Sequence, residues 1–190
     1  GGTVTLTNIV DDEISIEGGK SKTVSLYGRS FYVAEGQKTS LIWTAKAAKV
    51  DADISSKIGA AAEYIYQTNA TTGVCIDPNR DTDTSGGRND KKSCEMPNQM
   101  NLGDQGAPIA VQDIAMDIDQ ETQEVIFTIT IRNVGGGEVV GGAAGTGINQ
   151  VSAADVTLGG IKIDCDSNLA WLDNGEGKLR CYGRYTSNTA

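Results

Sequence analysis

Apolar and polar residues alternate along much of this chain with a period of two, which is the pattern of β-strands with one buried face. The clearest stretch, VIFTITIR at 125–132, places four large apolar side chains on one face, namely Val125, Phe127, Ile129 and Ile131. Shorter stretches of the same kind are TVSLYG at 23–28, SFYV at 30–33, SLIWTAKA at 40–47 and IKIDC at 161–165. Turn residues bound each of them, so the pattern predicts many short strands.

The alternation slips in two places, and each slip predicts a local irregularity. One lies at Asp113, between Val111 and Ile114, and the other at the pair Gly159 and Gly160. A β-bulge or a tight turn would absorb the extra residue. Only DISSKIGAAA at 53–62 could form a helix, and its interior glycine argues against one. We therefore expect an all-β fold.

A polar stretch, NLGDQGAP at 101–108, separates two runs of predicted strands. A chain of 190 residues could form one large β domain or two small ones. We expect two immunoglobulin-like β-sandwiches, residues 1–103 and 104–190, because each half would then hold about seven short strands and one pair of cysteines.

The second half contains PIAVQDIAMDIDQETQEVIFTITIRNVGGGEVV at 108–140, in which an alternating strand ends in Asn-Val-Gly. This stretch resembles the immunoglobulin-like, CARDB-type β-sandwich modules of archaeal secreted and cell-surface proteins. The first half, with FYVAEGQKTSLIWTAKA at 31–47, looks like the domain that precedes such modules. The resemblance implies an immunoglobulin-like fold at an archaeal cell surface, and it implies no catalytic residues.

The net charge of −9 makes nucleic acid and anionic lipid unfavourable partners, because the field of the whole chain repels phosphate. No apolar run reaches the roughly 18 residues of a membrane span, so we expect no membrane insertion by this chain. No leader of charged, apolar and small residues opens it. It begins Gly1-Gly2-Thr3 rather than with Met, which fits a processed secreted product and a fragment equally well.

The chain has four cysteines and no histidine. The common nucleophilic triads and the usual zinc and haem ligand sets therefore lack a member, and we expect no enzyme activity. The cysteines lie at Cys75, Cys94, Cys165 and Cys181, without a C-x-x-C motif, so disulfides are favoured over redox chemistry. Of the three connectivities we favour the local pairs, Cys75 with Cys94 and Cys165 with Cys181. Disulfides indicate an oxidising, extracellular location.

The segment CIDPNRDTDTSGGRNDKKSC at 75–94 raises the question of calcium. Oxygen-bearing side chains alternate in it as they do in the first half of an EF-hand loop, at Asp77, Asn79, Asp81 and Asp83. The sixth position is Thr82 where the turn needs Gly, and the twelfth is Arg88 where the metal needs Glu. We interpret the segment as a solvated loop closed by a disulfide, with no cofactor, and keep an irregular calcium site as the alternative.

A second acidic cluster comprises Asp113, Asp117, Asp119 and Glu121. Asp117 and Asp119 alternate with Met116 and Ile118, which predicts carboxylates that face solvent. A pair of carboxylates for glycoside hydrolysis stays open, because that chemistry depends on a spatial separation that the sequence does not contain.

Two further features concern the outside of the molecule. The sequon Asn69-Ala70-Thr71 is a candidate N-glycosylation site in a secreted protein. The N-terminal segment GGTVTLTNIV alternates Val4 and Leu6 with threonines behind two glycines. It is either the first strand of its own domain or a donor strand, within residues 1–10, that completes the sheet of a neighbouring subunit.

These patterns favour a non-enzymatic extracellular structural protein, a self-assembling subunit of a cell-surface filament or appendage held by β-strand complementation through Val4 and Leu6. The alternative is an extracellular ligand-binding or adhesion module for calcium or glycan, and a hydrolase is third. Exposed aromatic clusters would favour glycan binding, whereas open sheet edges would favour assembly.

Overall fold

The computed structural model describes residues 1–28, 35–49, 53, 55–76, 94, 99–103, 105–119, 121–140, 147–153 and 155–185. All regular secondary structure in these residues is β, and none of them forms a helix. The prediction of an all-β fold is confirmed. Residues 59–62, the last part of the stretch that could have formed a helix, belong to a strand over 59–64. The chain divides into an N-terminal unit, Gly1–Tyr66, and a C-terminal unit, Gln67–Ala190.

The N-terminal unit contains two small antiparallel sheets. The first has three strands in the order β3-β1-β5, namely β1 (Gly2–Thr7), β3 (Ser21–Val24) and β5 (Gly59–Tyr64). The second pairs β2 (Ile14–Glu17) with β4 (Thr44–Ala47). The predicted strands TVSLYG and SLIWTAKA contribute to β3 and β4, and SFYV lies outside the described residues.

The C-terminal unit is built on a five-stranded antiparallel sheet. In spatial order its strands are β12 (Asp164–Cys165), β14 (Glu176–Arg184), β8 (Glu124–Asn133), β7 (Ile109–Asp119) and β6 (Gln99–Asn101). Two short pairs accompany it, β9 (Gln150–Ser152) with β13 (Leu169–Trp171), and β10 (Thr157–Leu158) with β11 (Ile161–Lys162).

The core of the C-terminal unit lies on the face that the alternation in β8 predicts. Val125, Phe127, Ile129 and Ile131 are all buried. They share that face with Met116 of β7 and with Leu179 and Cys181 of β14, which stand opposite them in the register. Both predicted irregularities occur. The register between β7 and β8 shifts between Val111 and Asp113, and Gly159 and Gly160, with positive φ of 59° and 84°, join β10 to β11.

The stretch predicted to be a boundary between domains 1–103 and 104–190 lies between two strands that are hydrogen-bonded to each other, β6 and β7. Met100 of β6 pairs with Ile114 of β7 across it. The Gln105 side chain holds the stretch in place, because its amide both donates to the Val111 carbonyl at 2.6 Å and accepts from the Val111 N–H at 3.1 Å. Polar residues and glycines here make a hairpin, so the contacts divide the chain earlier, at residue 66.

Candidate functional site

The sheet of the N-terminal unit has one apolar and one polar face, and the register of β1 sets both. Residues directly opposite one another in an antiparallel pair share a face. Val4 stands between Lys22 and Ala62, and Gly2 stands between Val24 and Tyr64. Leu6 stands opposite Ala60. The opposite face carries the threonines of β1. We call the first surface, made of Val4, Leu6, Val24, Ala60, Ala62 and Tyr64, the apolar face.

The described part of this unit does not close around a core of its own. None of its described residues is buried, and Val4 and Leu6 are only half-buried. Large apolar side chains are instead exposed, namely Val10, Leu26, Tyr27, Ile42, Ile58, Tyr64, Ile65 and Tyr66. In the C-terminal unit the corresponding side chains of β8 are at most 8% exposed. So many exposed large apolar side chains on a small unit indicate a place where another surface binds.

Aromatic rings contribute to this exposed surface. The rings of Tyr64 and Tyr66 lie edge to face, with centroids 6.4 Å apart. Tyr27 is 81% exposed. Trp43 is half-buried, with the Lys22 ammonium 5.1 Å from its ring centroid. Its indole N–H is buried without a hydrogen-bond partner among the described residues.

Sequence reasoning missed Tyr64 and Tyr66 because it identified no strand at 59–64 and weighed the residues before them only as a possible helix. Apolar side chains do occupy 58, 60, 62, 64 and 66, but Ala61 and Ile65 between them are apolar as well, so the period of two is interrupted. The small size of the alanines and the glycine at 59 hid this alternation, since neither residue type distinguishes a buried face from an exposed one.

The predicted donor segment is, in this chain, the central strand of its own sheet. β1 pairs with β3 on one side and with β5 on the other. A contact of Val4 and Leu6 with another subunit stays a prediction. Their central position means that removing β1 would leave β3 and β5 without a common neighbour.

Both disulfides follow the local pairing, Cys75 with Cys94 and Cys165 with Cys181, and no cysteine is free. They lie together in the C-terminal unit, and not one in each half as the sequence suggested. Cys165 and Cys181 face each other across β12 and β14, with Cys181 fully buried. Four paired cysteines suit an oxidising compartment.

The calcium candidates Asp77, Asn79, Asp81 and Asp83 lie outside the described residues. Within the described part of the chain, no group of three or more Cys, Asp or Glu side chains converges as a metal site would require. The flanking cysteines bring the two ends of the loop together, with 6.1 Å between their Cα atoms.

We expect calcium to have little effect on stability, because the turn glycine and the terminal carboxylate of a calcium loop are both missing from 77–88. A ligand at a hundredfold excess over its Kd would stabilise the folded chain by about 2.7 kcal/mol. Melting curves in millimolar calcium and in chelator should coincide. A rise of many degrees that disappears in the Asp77→Asn/Asp81→Asn variant would contradict this prediction.

The carboxylates of the second acidic cluster accept hydrogen bonds from nearby groups of the chain or face solvent. Asp113 accepts a hydrogen bond from the Thr130 hydroxyl at 3.1 Å. The Asp119 carboxylate accepts the N–H groups of Glu121 at 2.9 Å and Thr122 at 3.2 Å, at the turn into β8. The Thr122 N–H makes the largest contribution to lowering the pKa of Asp119 below its usual value. Asp117 is exposed, as its alternation with Met116 predicts.

Asn69 is exposed in the segment that follows β5, where a glycan would meet solvent, and its glycosylation stays a prediction. None of the described residues forms a helix long and apolar enough to cross a membrane. A comparison of the chain with protein-family models, curated proteins and solved structures finds no match. The chain's own residues are therefore the basis for inferring its function.

Proposed function

We propose that this chain is a non-enzymatic extracellular structural protein, a subunit that self-assembles into a cell-surface filament or appendage by β-strand complementation. The observation that carries the proposal is the absence of any buried residue among those described in the N-terminal unit, beside its many exposed large apolar side chains. A small unit without a core needs surface from elsewhere to be stable. Identical subunits supply that surface in a repeating assembly.

β1 is the element suited to exchange between subunits. It is six residues long and occupies the centre of its sheet. The β1 of a neighbouring subunit can fill the same groove between β3 and β5, with Val4 and Leu6 on the apolar face. Exchange replaces each contact by an identical one, so it costs little and links one subunit to the next.

Two further observations support the extracellular location and the fold class in this proposal. Disulfides form and persist in oxidising surroundings such as the cell exterior. The resemblance of residues 108–140 to CARDB-type modules favours an immunoglobulin-like sandwich in the C-terminal half and an archaeal cell surface.

The test is to delete residues 1–10 and then add them back as a synthetic peptide, GGTVTLTNIV. We expect the full chain to associate with rising concentration in light scattering, and the truncated chain to associate much less. Adding the peptide should restore hydrogen-exchange protection to the amides of β3 and β5, because it refills the groove. A matched peptide with Val4→Thr and Leu6→Thr keeps the backbone donors and should bind much more weakly.

Two results would overturn strand complementation. One is a full chain that remains monomeric at every concentration. The other is a truncated chain that associates as well as the full chain does, because β1 would then contribute nothing to assembly. The protection of β8 and β14 amides serves as an internal control, since these strands contain the core of the C-terminal unit.

The second candidate function is an adhesion module that binds glycan, and the pair Tyr64 and Tyr66 favours it. Two exposed rings 6.4 Å apart offer apolar faces with polar hydroxyls at their edges. Titration with a panel of oligosaccharides, followed by tyrosine fluorescence, would test it. Saturable binding that the Tyr64→Ala/Tyr66→Ala variant loses would favour adhesion over assembly through this surface.

A further inference from the structure

The strand β5 lies at an edge of its sheet, and the hydrogen bonding of β1 shows which of its backbone groups point outward. The Leu6 N–H donates to the Lys20 carbonyl at 2.9 Å, on the β3 side. Backbone groups alternate in direction along a strand, so those of Val4 also face β3, while those of Thr5 face β5. Thr5 is opposite Ala61, and Leu6 is opposite Ala60.

The alternation continues into β5. Gly59, Ala61 and Glu63 direct their N–H and C=O groups to β1. Ala60, Ala62 and Tyr64 direct theirs away from it. Among the described residues, no strand pairs with this outer side of β5. The five residues from Ala60 to Tyr64 are all exposed.

Natural proteins protect open edges with proline, lysine, bulges or covering segments. β5 has the sequence GAAAEY, with no proline, no lysine and one glutamate, and its register with β1 runs without a bulge. Such an edge is a template for pairing with another strand.

A second copy of β5 fits in a restricted set of registers. Two residues that face each other in an antiparallel pair either exchange backbone hydrogen bonds or both direct their backbone N–H and C=O groups away from each other. Two identical β5 edges can therefore join only where residues whose backbone groups point outward face residues of the same kind. In such a register the two-fold axis passes beside a residue that faces its own copy, and not between two successive residues. Centring on Glu63 would bring two carboxylates face to face, and like charges directly opposite are destabilising.

Centring on Ala62, the middle one of the three outward residues, brings Ala60, Ala62 and Tyr64 all into the pair. Ala62 then faces Ala62 of the second copy, and Ala60 faces Tyr64. The same register, continued past the ends of β5, places Ile58 opposite Tyr66, two side chains that are 49% and 46% exposed in the single chain. Glu63 faces Ala61 on the other side of the sheet. Ile58, Tyr64 and Tyr66 fall on one face and Ile65 on the other, and no like charges meet.

We propose that the outer edge of β5 is an isologous interface with a second copy of this chain, centred on Ala62, that joins two three-stranded sheets into one continuous antiparallel sheet. The inference rests on the proposed self-assembly and adds a second contact to it. An isologous contact closes on itself. It therefore pairs two subunits laterally, whereas exchange of β1 extends the assembly, and together they join two filaments side by side.

The test introduces a charge at Ala62, on the two-fold axis, in the full chain. Ala62→Glu and Ala62→Lys each place two like charges opposite one another, so each variant alone should dimerise about fivefold more weakly than the natural chain. A one-to-one mixture should recover association, because Glu then faces Lys. Sedimentation velocity measures both effects. Ala45→Glu and Ala45→Lys, at an exposed alanine of β4, are the matched controls and should change nothing.

The outcomes separate this inference from the proposed function. Unchanged association of Ala62→Glu and Ala62→Lys, or loss without recovery in the mixture, would overturn the β5 interface even where the peptide of residues 1–10 still restores protection. Weaker association of each variant alone, with recovery in the mixture, supports the β5 interface. If the peptide does not bind, β1 exchange fails while the β5 contact stands. Hydrogen-exchange protection of β1 and β3 verifies that each variant is folded.

Discussion

Substituting Phe127 by Ala is expected to lower the free energy of unfolding of the C-terminal unit by about 3–5 kcal/mol. Phe127 is 5% exposed in the middle of β8. Met116 of β7 stands opposite it on one side, and Cys181 of β14 on the other. Removing its ring leaves a space that rigidly paired neighbouring strands cannot close, so the loss exceeds the transfer free energy of the missing atoms.

Thr128→Ala is the matched control, because Thr128 follows Phe127 on the same strand and points to the other face. It is half-buried, and its replacement should cost less than about 1 kcal/mol. Urea denaturation followed by hydrogen exchange would measure the two variants, with the amides of β8 and β14 reporting on the C-terminal unit. Equal losses from both variants would show that β8 does not bury the face assigned to it.

The size of that effect depends on where buried side chains are concentrated. Every buried apolar side chain of the described residues lies in the C-terminal unit, from Met100 to Cys181. A domain of ordinary stability has only about 5–15 kcal/mol in total, so one cavity removes a large part of it. The described residues of the N-terminal unit form no comparable core, and the stability of this unit is expected to depend on surfaces contributed by association.

The sequence predicted β8 well because burial itself imposes the alternation there. Four large apolar residues at every second position leave only one register that buries them all, and a shift by one residue would expose them. The slips at Asp113 and at Gly159 and Gly160 were predicted for the same reason, since an interruption in a strict pattern has few structural explanations. The local residue pattern was sufficient to predict these elements.

β5 and the candidate site could not be predicted in the same way. Alanine and glycine carry little information about which face is buried, so GAAAEY at 59–64 was ambiguous between strand and helix. Its pairing with β1 also joins residues far apart in sequence, such as Val4 and Ala62. The apolar face exists only once this pairing is made, and no local pattern encodes it.

The division of the chain shows a similar limit. Glycines and polar residues at 101–108 are equally typical of a linker and of a hairpin loop. The Gln105 side chain, which bonds both backbone groups of Val111, selects the hairpin. The cysteine spacing gave the disulfide pairs, but it could not show that both pairs belong to one unit, since that depends on where the N-terminal sheet ends.

The Cys165–Cys181 disulfide contributes the second large effect, and we expect Cys165→Ala/Cys181→Ala to lower the free energy of unfolding by about 3 kcal/mol or more. Closing a loop with a sequence separation of 16 restricts the unfolded chain by about 3 kcal/mol in the chain-entropy model. Removing the fully buried Cys181 sulfur also leaves a gap beside Phe127.

Cys75→Ala/Cys94→Ala is the matched comparison, because its loop has a similar sequence separation of 19 but Cys94 is exposed. The entropy term should be nearly the same in both double variants, so the difference between them measures the buried sulfur, about 1 kcal/mol. Urea denaturation of both variants, beside peptide mapping of the natural chain without reduction, checks the prediction. The Cys165→Ala/Cys181→Ala variant could instead lose less stability than Cys75→Ala/Cys94→Ala. That result would mean that hydrogen bonds and packing hold β12 and β14 together, and that the unfolded chain is already compact around these residues without the disulfide.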